Sequence, residues 1–185
     1  MTYYGPKEMA ASFRTVRANT IKIAEEIPEE SYSFRAAAGC RSVAETLIHI
    51  AVGARLQEQL HLTEHLATLV GFDFFGFHAK QAAEEQVARS KAQILAMLHA
   101  EGEKYAQTLE GLSEAFLAER VQYPEGMVPP SKSRFEMMIS PKEHEMHHRG
   151  QLMLVQRLLG MVPPLTRHMQ ERIAAIKAAA AGQTP

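Results

Sequence analysis

Apolar residues in this chain recur three and four positions apart over segments too long to be anything but α-helices. Met9, Phe13, Val16, Ile23 and Ile27, with Thr20 among them, form one such stripe. Pro6 suits a first helical position and Pro28 blocks continuation, so the spacing predicts a first helix between them. Ala, Leu, Glu, Gln and Met fill the long segments, as helix propensity favours. No run of alternating β-branched residues is long enough to propose a sheet.

Further boundaries follow from cap chemistry. Ser42-Val43-Ala44-Glu45 reads as a capping box and predicts a second helix from Ser42 to about Val70, before Gly71. The link from Gly71 to His78 carries Phe72, Phe74, Phe75 and Phe77. This cluster is expected to pack the bundle end or a dimer interface, with a substrate lid as the other reading. A third helix is expected from Ala79 to Leu109, with Val87, Ile94, Leu98, Tyr105 and Leu109 in the core. Residues 111–140 are mixed, with turn signals at Tyr123-Pro124-Glu125-Gly126 and Pro129-Pro130-Ser131. Ser140, Pro141 and Glu143 read as the start of a fourth helix ending near Leu159-Gly160. A short helix from Leu165 to about Ala180 follows, and residues 178–185 are expected to fray. Four long amphipathic helices imply an all-α four-helix bundle, one domain over residues 1–185 with its core at about 6–160.

Charge and composition narrow the function. Lys+Arg 20 against Asp+Glu 21 gives −1, which argues against a nucleic-acid binder that must neutralise phosphates. No stretch approaches the roughly 20 apolar residues that span a bilayer. Met1 to Glu8 lacks a basic segment followed by an apolar run, so no secretory signal is expected. The one cysteine, Cys40, cannot make an internal disulfide, which fits a cytoplasmic protein. Cys40 precedes a helix start and adjoins Arg41. It is a nucleophile candidate, or simply a small apolar loop residue.

The 9 histidines are the unusual feature. His144 and His148, one turn apart, fall within roughly 60° of the centre of the fourth helix's apolar stripe, while His147 turns to the flank. His49 shares a face with Val52, Leu56 and Leu60. If the two helices start at the same end of the bundle, three imidazoles would meet. Three neutral imidazoles with open positions make a catalytic-type site for Zn, Ni, Fe or Mn. The rival reading of His49 is a core histidine bonded to a carbonyl. His61 and His65 point roughly 120° or more away from His49 and are expected on a solvated or interface face. His144-Glu145-Met146-His147-His148 also matches H-E-x-x-H, which would make Glu145 the general base of a zinc peptidase. The absence of an expected sheet edge for the peptide weighs against that. Glu145 reads instead as a supporting or solvent-facing residue, and Gln151 as a residue placed to orient a ligand.

Ser42 to Ile50 resembles the second-helix motif of the DinB/YfiT-like superfamily, and Glu143 to Leu152 resembles its fourth-helix motif, H-x-x-x-H-R-G-Q. The resemblance runs from about Glu8 to Leu159. It implies a four-helix bundle with a long crossover, a divalent metal on His49, His144 and His148, and frequently a homodimer. It also implies small-molecule chemistry: transfer of a low-molecular-weight thiol to an electrophile, isomerisation or hydrolysis. Three readings remain open from sequence: such a metal-dependent enzyme, with Glu145 and Gln151 as further site candidates; a metal-containing binding protein without turnover; and a structural helical dimer. The loops at residues 71–78 and 123–133 are expected to form the mouth of any pocket.

Overall fold

The long helices begin where side chains satisfy backbone N–H groups that have no helical partner. The computed structural model describes residues 4–181. Its elements are α1 (Pro6–Glu26), α2 (Val43–Val52), α3 (Arg55–Gln57), α4 (Phe74–Glu85), α5 (Lys91–Glu110), α6 (Glu114–Ala118), β1 (Arg120–Gln122), β2 (Ser131–Ser133), α7 (Arg134–Leu158) and α8 (Pro164–Ala181). Ser42 with Glu45, Ser90 with Gln93 and Ser133 with Glu136 each close a capping box, at α2, α5 and α7.

α1, α2, α5 and α7 make a four-helix bundle. α1 and α2 each pack against both α5 and α7, and therefore sit diagonally across the interior. The whole predicted stripe of α1 is buried, from Met9 through Phe13, Val16, Thr20 and Ile23 to Ile27. Ile94, Leu98, Tyr105 and Leu109 of α5 and Leu152 of α7 meet it in the core. Removing one such side chain, as in Phe13→Ala, costs about 3–5 kcal/mol through lost transfer energy and the cavity left behind.

Several sequence expectations need correction. The second helix does not reach Val70. α2 stops at Val52, Gly53 turns the chain, and α3 runs into a π-helical segment, Glu58–Thr63. The third helix is two. α4 already includes Phe74, Phe75 and Phe77, and Ser90 restarts the chain as α5, leaving Val87 between them half exposed. α7 starts at Ser133 rather than Ser140, so Pro141 lies inside it and offers no N–H to the Met137 carbonyl. The chain is not wholly helical: β1 and β2 pair antiparallel, Arg120 opposite Ser133, and bury Val121 against Leu60, Leu69 and Met137. Strands of three residues carry too little alternation to be read from sequence. α8 is long, 18 residues, and residues 178–181 are helical. Residues 182–185 of the expected tail lie outside the described residues.

Candidate metal centre

α2 and α7 bring His49, His144 and His148 together, with one ligand atom of each lying within 4.8 Å of the others. Nε2 of His144 is 3.0 Å from Nε2 of His49 and 3.0 Å from Nε2 of His148. The close fit is built into the backbone. A Cβ on Gly53 would stand 3.3 Å from Nδ1 of His144, so glycine lets the end of α2 pass against that ring.

The outer nitrogens define the chemistry of the inner ones. Nδ1 of His49 lies 2.7 Å from Oε1 of Glu85, and an ionised carboxylate only accepts, so this nitrogen carries the proton. Nδ1 of His148 donates to Oε1 of Gln151 at 2.8 Å, while the Gln151 amide N–H donates to Nε2 of His147 at 3.1 Å. Nε2 of His49 and of His148 are therefore bare lone pairs, both aimed at Nε2 of His144. A proton on that nitrogen points to only one of them. Whichever tautomer His144 takes, one lone pair faces another at 3.0 Å. A cation would resolve the conflict, because it takes up lone pairs that have no proton between them. The three residues fit a divalent metal.

Burial pushes all three imidazoles below the usual histidine pKa. His144 falls to about 4, with the neighbouring His148 and His49 adding to the effect. His49 and His148 are lowered less, because hydrogen bonds to Glu85 and Gln151 favour their charged forms. Neutral imidazoles are what a metal requires.

Glu85, the last residue of α4, had no signal in the sequence. It is buried and shared between His49 and Arg41, whose Nε donates to its Oε2 at 2.6 Å. A carboxylate behind a ligating imidazole orients the ring and raises its basicity.

Glu145 occupies a different environment. It is 1% exposed and accepts from Nε of Arg17 at 3.0 and 3.1 Å. The same guanidinium donates to the carbonyls of Leu98 and Ile50. One side chain of α1 thus ties α5, α2 and α7 together, bonding to the residue after His49 and the residue after His144. Gly102 makes room for it: a Cβ there would come within 2.8 Å of Arg17 Cγ. Glu145 does not line the cleft beside the histidines, so the peptidase reading loses its general base.

That cleft, about 690 Å³, opens at His148. Neither residues 71–78 nor 123–133 line it, contrary to expectation. Its walls are the segment from Arg35 to Thr46, Gln86, and the face of α7 that carries Gln151, Leu152 and Val155. Cys40 lines it and is exposed. Among the phenylalanines, Phe72 and Phe74 pack at the bundle end beside Leu60 and Val121, while Phe75 is exposed.

His61 also departs from expectation. It is fully buried, not solvated. Arg134 Nη1 donates to its Nδ1 at 2.7 Å, and its Nε2–H donates to Gln57 Oε1 at 3.0 Å. His65 is exposed and pairs with Glu119, which also binds Arg134.

The sequence model of the DinB family matches residues 1–178. No curated protein matches the chain. Solved structures share its fold, two of them from Bacillus subtilis. One is the DinB-like protein YjoA of Bacillus subtilis, 21% identical, with a TM-score of 0.61, covering 84% of this chain and 93% of that one. The other is YfiT of Bacillus subtilis, described as a probable metal-dependent hydrolase with an unusual four-helix bundle topology. It is 15% identical, with a TM-score of 0.66, covering 87% of this chain and 91% of that one.

Proposed function

The chain belongs to the DinB family, and from that premise we propose that it is a metal-dependent enzyme acting on a small molecule, with His49, His144 and His148 as the ligands. One observation carries the reading: the Nε2 lone pairs of His49 and His148 converge on Nε2 of His144 and have no proton to share. A divalent ion held there supplies Lewis acidity and lowers the pKa of a water or thiol beside it. The chain's own residues do the rest. Glu85 and Gln151 hold two rings in the metal-binding tautomer. Arg17 and Glu145 hold α2 against α7. Leu152 and Val155 give the cleft an apolar wall that limits water around the reactants.

Hydrolysis is the first reaction class, supported by the fold shared with YfiT. Thiol transfer to an electrophile is the second. The cleft volume of about 690 Å³ favours it, because there is room for a second organic reactant. Turnover decides between them. The chain loaded with zinc, nickel, iron or manganese is offered nitrophenyl esters and amides, then a reduced low-molecular-weight thiol with monobromobimane. Reaction that needs the ion and disappears in His49→Ala supports the reading. No reaction in either assay, with the ion bound, overturns it in favour of a metal-containing binding protein.

A further inference from the structure

We propose that the cleft beside His148 selects a small organic carboxylate with an apolar body, its carboxylate held by Arg35 and Arg41 and its reacting end at the three imidazoles. This rests on the metal-dependent reading above and adds the class of substrate.

Charge pairing within the site leads to it. Arg35 forms a two-pronged pair with Glu45, at 2.6 Å for each prong. Arg41 pairs with Glu85. Each pair sums to zero, and the three imidazoles are neutral. A divalent ion would therefore bring two positive charges that no protein carboxylate balances. A site of that kind favours an anionic guest over a neutral one and excludes a cationic one.

The arginines have donors to spare. Among the described residues, Nη1 of Arg41 and Nε of Arg35 have no hydrogen-bond partner, while the rest of each guanidinium is held by its glutamate or by the Cys40 carbonyl. Both side chains stay open to the cleft, 48% and 43% exposed. Pinned guanidiniums with free N–H groups are pre-organised, so a carboxylate binds without first ordering a long side chain. Glu45, the one carboxylate lining the cleft, is held down to a pKa of about 2 chiefly by its bond to Arg35, and it is already matched. The wall that α7 provides is apolar: Leu152, Leu154 and Val155. A guest with a carboxylate at one end and a hydrocarbon body satisfies both walls.

The test is calorimetric titration of the zinc-loaded chain with hexanoate and with hexan-1-ol, an uncharged partner of nearly equal size. Hexanoate is expected to bind at least tenfold more tightly. Arg35→Gln and Arg41→Gln are each expected to weaken it tenfold or more, as loss of a charge-assisted pair does. Zinc content is measured on every sample. Arg35 does not touch Glu85, so Arg35→Gln carries the test if Arg41→Gln releases zinc. Equal binding of hexanoate and hexan-1-ol overturns the proposal. So does unchanged hexanoate affinity in both variants with zinc retained, which places the anion on the ion alone. If the chain takes up none of zinc, nickel, iron or manganese, the metal reading fails on its own. Titration of the zinc-free chain then decides this proposal: hexanoate binding lost in the arginine variants upholds it, and no binding overturns it.

Discussion

Among the described residues, His61 is fully buried and the triad around His144 is half-buried, and the two centres differ in how their ring nitrogens are partnered. Around His61 every ring nitrogen has a protein partner: Arg134 donates to one, and the other donates to Gln57. Around His144 the protein provides partners only for the outer nitrogens of the neighbouring rings, through Glu85 and Gln151, and turns the inner ones on each other. Burial depresses the pKa of His61 and His144 alike, each to about 4. A depressed pKa therefore does not separate a structural histidine from one that could hold a metal. The accounting of lone pairs does, because a satisfied network stabilises the fold, while converging bare lone pairs could hold a cation.

The contrast breaks most sharply at the three converging histidines. His148→Ala should abolish stoichiometric metal binding, as elemental analysis would show, and leave the metal-free chain folded by circular dichroism. Next in size is the strut between the helices. Arg17→Met leaves Glu145 charged and alone in the core, which costs about 3–5 kcal/mol of stability in urea unfolding. The double variant Arg17→Met/Glu145→Met should recover most of it.

The His61 centre gives a pH signature. Its folded pKa, about 4, lies below the ordinary 6.5, so the unfolded chain takes the proton first on acidification. The neutral form's stabilisation is complete above pH 6.5 and is lost as pH falls toward 4. His61→Gln should remove on the order of 3 kcal/mol from the difference between urea unfolding at pH 7 and at pH 4. Metal content at pH 7 should not change. Smallest is Glu85→Gln, expected to weaken metal binding by about 10–100-fold in chelator competition while the melting temperature stays near that of the parent.

The halves of this account were not equally legible in the sequence. His49, His144 and His148 were, because helical periodicity fixes which way a residue faces and the H-x-x-x-H-R-G-Q pattern lies within one helix. The start of α2 was legible for the same local reason, Ser42 with Glu45. Glu85 was not, since it meets His49 across 36 residues and from another helix. The H-E-x-x-H spacing leaves Glu145 open as a base, a supporting residue or a solvent-facing one, because spacing carries no trace of Arg17, 128 residues away. An unbroken helix to Val70 would carry His61 to a solvated or interface face, and the chain departs from that path. The turn at Gly53 and the π-helical segment rotate its face inward. Pro141 drew the start of α7 seven residues late, although Ser133 and Glu136 form an equally good box upstream.

The most direct measurement is elemental analysis of untagged protein beside His148→Ala and His61→Gln. About one divalent ion per chain in the parent and in His61→Gln, with none in His148→Ala, is the predicted result. An ion retained without His148, or no uptake by the parent at neutral pH, would contradict it.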